Sequence, residues 1–84
     1  MLQRMTDKTS AATGWVIEVV TLRQGGSPPL FKYFNVAIAD VTKAVEAARK
    51  QPAAAQANRV EGVRQLSSGE LAALHLKAGQ VKPA

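Results

Sequence analysis

Apolar residues recur at every second position through Phe34, Val36 and Ile38. They then change to the i, i+3, i+4, i+7 spacing of a helix face through Val41, Ala44, Val45 and Ala48. Asp40 stands at the change of period. Its short carboxylate can accept hydrogen bonds from the first free N–H groups of a helix, and its charge suits the positive end of the helix dipole. The pattern predicts a strand over 30–39, a helix over 41–50 and Asp40 as the cap between them. Glu46 is placed to pair with Lys50 one turn on.

Upstream, Trp15 to Arg23 is rich in β-branched residues and bounded by Gly14 and by Gly25-Gly26, which predicts a strand. Both of its faces are apolar: Trp15, Ile17 and Val19 share one, and Val16, Val20 and Leu22 share the other with only Glu18 between them. A strand of this kind is covered on both sides. Gln24 to Pro29 is turn chemistry, with glycines for positive φ and prolines that cannot donate to a ladder. A phosphate loop would need a helix start after it, and here a strand follows. Downstream, Pro52 ends or redirects the helix, and 53–57 is alanine-rich, either a further turn with Pro52 at its first position or a connector.

A third, polar-rich strand is predicted over 58–66. Val60, Val63 and Leu66 are spaced by three, and Gly62 marks a bulge that resets the register, as expected of an edge strand. Ser67 and Glu70 then form a capping box, with Leu66 and Leu71 as its hydrophobic staple. The last helix is expected over 68–78, with Gly79 as its left-handed cap.

These elements predict a small α+β domain of β-β-α-β-α order over 14–81. Its three-stranded, mainly antiparallel sheet has spatial order 2-1-3, with the most apolar strand in the middle and two helices on one face. Residues 1–13, polar and without period, are expected to be a flexible N-terminal arm, and 82–84 a short tail. One face of such a sheet stays open. Trp15, Val16, Ile17, Val20 and Leu22 are therefore candidate interface residues, and a homo-oligomer is the simplest closure.

Composition narrows the chemistry. With 84 residues and no cysteine, a disulfide framework and a thiolate metal site are excluded, and with one histidine a structural zinc site is not expected. No dinucleotide fingerprint or metal-ligand spacing occurs, so no cofactor and no metal are expected. His75 lies between two leucines with no acid nearby in sequence, and Asp40 and Glu70 already have capping roles. Glu18 and Glu61 are the remaining carboxylates that neighbouring strands could bring together, and a solvated sheet explains both. A non-enzymatic interaction or regulatory module is the expectation.

The formal charge of +5 and pI near 10.1 raise the alternative of nucleic acid. Phe31 and Tyr33 would stack bases while Arg23, Lys32, Arg59 and Arg64 contact phosphates. Against it, the basic residues are scattered along the chain and form no run. A small ligand held between the open sheet and a partner chain is a third reading. No stretch is long enough to cross a bilayer and no signal-peptide core is present, so the expectation is a cytoplasmic protein without a membrane partner.

Overall fold

The computed structural model describes residues 13–84, and the expected N-terminal arm lies almost wholly outside them. The order is β1 (Gly14–Thr21), β2 (Leu30–Val36), α1 (Val41–Arg49), a 3-10 turn (Pro52–Ala54), β3 (Arg59–Leu66), α2 (Ser68–Ala73) and β4 (Val81–Pro83). The domain is α+β as expected, but its antiparallel sheet has four strands, in the order β3-β1-β2-β4. The three predicted strands keep their predicted neighbours. The fourth comes from residues expected to be a tail: Val81 to Pro83 pair with Phe34 to Val36. Lys82 and Pro83 are short of a strand signal by themselves. The ladder is completed from outside the strand, because Ala37 N–H donates to Gln80 O and Ala84 N–H to Tyr33 O.

Asp40 caps α1 by accepting from the Lys43 N–H at 3.1 Å. The buried stripe of α1, Ala44 and Ala48, packs on Ile17 and Val19 of β1, Phe34 and Val36 of β2 and Val60 of β3. The alanine-rich connector is part of this core. Pro52 opens a 3-10 turn, Ala54 is buried on the cluster, and the Asn58 N–H donates to Val20 O.

The expectation of both helices on one face is corrected. Leu71 of α2 belongs to a second cluster with Leu66, Ala37 and Leu76, against which Val16 packs. The ladder places Val16 on the opposite side of β1 from Ile17, so α2 covers one end of the face that α1 leaves open. Small residues make the close approaches possible. A Cβ on Gly14 would lie 2.5 Å from the Val36 carbonyl oxygen. One on Gly62 would lie 2.7 Å from Val41 Cγ2 and 3.0 Å from Trp15 Cε3. The predicted bulge is there: Ile17 faces Gly62, Val16 faces Arg64, and Val63 is the extra residue.

The capping box at α2 forms as expected, with Ser67 Oγ accepting from the Glu70 N–H and the Glu70 carboxylate from the Ser67 N–H. The far end of this helix differs from the expectation of 68–78. It stops at Ala73, and His75 takes the left-handed conformation at φ 56. The Leu76 N–H then donates to Leu71 O and the His75 N–H to Ala72 O, the paired bonds of a Schellman motif. What ends the helix is tertiary: turning the chain at His75 brings Leu76 into the cluster with Leu71 and Leu66. Gly79, at φ 82, serves instead in the turn that leads into β4.

Candidate interaction surface

The second face of the sheet is built from alternate residues of three strands. On it, Glu18 lies between Tyr33 of β2 and Glu61 of β3. The Tyr33 hydroxyl donates to Glu18 Oε2 at 3.0 Å, and Arg59 reaches Glu18 at 3.4 Å and Glu61 at 3.0 Å. The carboxylate hydrogen bond, then partial desolvation and the charge of Glu18, raise the Tyr33 hydroxyl above its ordinary 10.0. The two facing glutamates share the one Arg59 guanidinium, and Glu18 also accepts from Tyr33.

Beyond this polar row, the face becomes apolar toward the β1–β2 loop. A cleft of about 360 Å³ is lined by Val20, Leu22, Pro29, Phe31, Asn58 and Arg59. Its floor is Val20, and its walls are exposed: Leu22 is 61% and Phe31 49% accessible. The Leu22 N–H donates to Asn58 Oδ1 at 2.7 Å, which ties the connector before β3 to the base of the hairpin. Gly25 and Gly26, both at positive φ, turn the loop, and the Arg23 Nε–H donates to Pro28 O across it.

The candidate interface residues separate into two groups. Ile17 is fully buried under α1, and Trp15 packs on the same core with its indole N–H donating to Ala39 O at 2.9 Å. Both are core residues of the monomer. Val16 is half-covered by the α2 cluster, and Val20 is buried between its cross-strand neighbours Phe31 and Arg59. Leu22 alone of the five is freely exposed.

The candidate nucleic-acid contacts separate likewise. Phe31, Tyr33 and Arg59 share the second face, whereas Lys32 lies opposite Val19 on the α1 side. Arg64 is at the far end of β3, bound to Glu70 at 2.9 Å. Pro29 and Asn58 are site residues that the sequence reading did not name. Pro29 falls in a stretch read as turn and Asn58 in one read as the start of a strand, and their role appears only when the two segments meet.

Among the described residues no group of His, Asp and Glu side chains converges as a metal site, and no helix is long and apolar enough to cross a membrane. No family model, curated protein or solved structure matches the chain.

Proposed function

We propose that the chain is a small non-enzymatic interaction module that binds its partner at the hairpin end of the second sheet face. The observation that supports it is the cleft of Val20, Leu22, Pro29 and Phe31, where Leu22 and Phe31, the two most exposed large apolar side chains among the described residues, stand side by side. A binding role is favoured over catalysis because the facing carboxylates are already held by Arg59 and Tyr33, and the single histidine serves a turn.

Self-association is the first form of partner to test, through Leu22 and Phe31. Light scattering over a concentration series, with binding of a hydrophobic dye, decides it. A dimer dissolved by Phe31→Asp supports self-association through this end. A monomer whose dye binding is lost in Phe31→Asp supports the same surface for another partner. A monomer that binds no dye would refute the module.

A further inference from the structure

We infer that this end of the domain docks on an anionic lipid surface, a partner assignment that rests on the hairpin end being the binding surface. Two stretches of the chain, 19–39 and 47–60, contain no acid and carry Arg23, Lys32, Arg49, Lys50 and Arg59. The other six cations equal the six acids in number, and two of those acids, Glu18 and Glu61, sit on Arg59. Separate in sequence, they meet in the fold. Val20 pairs with Arg59, the Asn58 N–H donates to Val20 O, and Asn58 Oδ1 accepts from the Leu22 N–H. The last turn of α1, with Arg49 and Lys50, runs directly into this connector.

The cations flank an apolar tip on both sides of the sheet. Phe31 and Leu22 project from the second face, and Lys32 and Leu30 from the α1 side, with Pro28 and Pro29 in the loop between. Among the described residues Arg23, Lys32, Arg49 and Lys50 have no carboxylate within ion-pair distance, and the pair expected between Glu46 and Lys50 is not made. Arg59 alone is neutralised.

Exposed apolar side chains at the end of the sheet that also carries Arg23 and Lys32 match the acyl boundary and the anionic headgroups of a bilayer leaflet. A single-stranded nucleic acid would use the charge but would leave Leu22 and Leu30 without a role, and the second stacking ring, Tyr33, is held by Glu18. The expectation of no membrane partner came from the length of apolar runs, which governs spanning and not surface docking.

The test is co-sedimentation of the whole chain with vesicles of phosphatidylcholine alone and of phosphatidylcholine with phosphatidylserine, over a salt series. Binding to the anionic vesicles only is expected. It should weaken about 25-fold in an Arg49→Ala/Lys50→Ala double variant, from roughly 5-fold per cation. It should weaken about 10-fold or more in Leu22→Ser, and stay unchanged in Lys77→Ala at the opposite end of the sheet. Circular dichroism checks that each variant is folded. Absence of binding, equal binding to neutral vesicles, or binding that ignores Leu22→Ser would overturn the inference. The last outcome is what a purely electrostatic, oligonucleotide-like site gives. If vesicles fail while Phe31→Asp still abolishes a dimer or dye binding, the lipid assignment alone falls.

Discussion

Residue 75 gives opposite predictions for two structures of the chain's last third. If α2 ran on to Ala78, His75 would be a helix-interior residue, and His75→Gly would cost roughly half a kcal/mol while His75→Ala would gain about as much. In the structure, His75 is instead the left-handed residue after the helix, at φ 56. An L-residue there pays roughly 1–2 kcal/mol relative to glycine. The extra freedom of glycine in the unfolded chain offsets about 0.5 kcal/mol or a little more of the relief. The His75 side chain is exposed, so its loss subtracts little. His75→Gly should therefore stabilise the domain by about 0.5–1 kcal/mol, and His75→Ala should not. In a domain of this size that is roughly 2–8 °C in Tm. The matching control is Gly79→Ala. Gly79 has φ 82 and no atom within 4 Å of where a Cβ would stand, so its cost of roughly 1–2 kcal/mol is backbone preference alone. Urea unfolding of the three variants supplies the numbers. A less stable His75→Gly together with a more stable His75→Ala would refute the helix end described here.

Gly62→Ala should destabilise by roughly 1–3 kcal/mol in urea unfolding, because its Cβ would press on Val41 Cγ2 and the Trp15 ring; a neutral result would mean that the indole does not cross the bulge. Tyr33 is the one tyrosine of the chain, so its alkaline absorbance titration is unambiguous: the midpoint should lie above 10.0 and fall toward it in Glu18→Gln. The stability associated with that raised value is present below pH 10.0 and lost as pH rises through the folded midpoint, and a midpoint indifferent to Glu18→Gln would remove the hydrogen bond as its cause. The Glu70 carboxylate is held below its ordinary 4.5 by the Ser67 N–H and then by Arg64. Its contribution is complete above 4.5 and is lost as pH falls through the lower folded value, so Glu70→Gln should flatten the acid limb of a stability–pH curve, and an unchanged limb would count against the capping box.

The parts of the fold legible in the sequence are those decided within a few residues. Asp40 and the Ser67–Glu70 box are local hydrogen-bond devices, and the period change at residue 40 is a statement about neighbours in the chain. The bulge was visible as a spacing of three around Gly62. The illegible parts depend on distant partners. Leu76 falls beside the stripe of an extended helix as well as it fits a Schellman contact, and only Leu66 and Ala37 decide between them. Lys82 and Pro83 have no strand propensity to speak of, and β4 exists because β2 offers an unpaired edge beside Val36.

The same division explains the candidate surface. A first strand apolar on both faces demands cover on both sides, but with both helices placed together the demand falls to the N-terminal arm or another chain. With α2 on the second face, only the Leu22 end remains open, and Trp15 and Ile17 leave the list of interface residues. Charge followed the opposite course. Read along the chain, the cations are dispersed, and no run of Lys and Arg suggests a patch. The crossover from β2 through α1 to β3 returns the connector to the hairpin, so cations 36 residues apart at Arg23 and Arg59 belong to one end of the sheet. What looks like a dispersed basic composition brings Arg23, Lys32 and Arg59 to the end of the sheet where Leu22 and Phe31 are exposed.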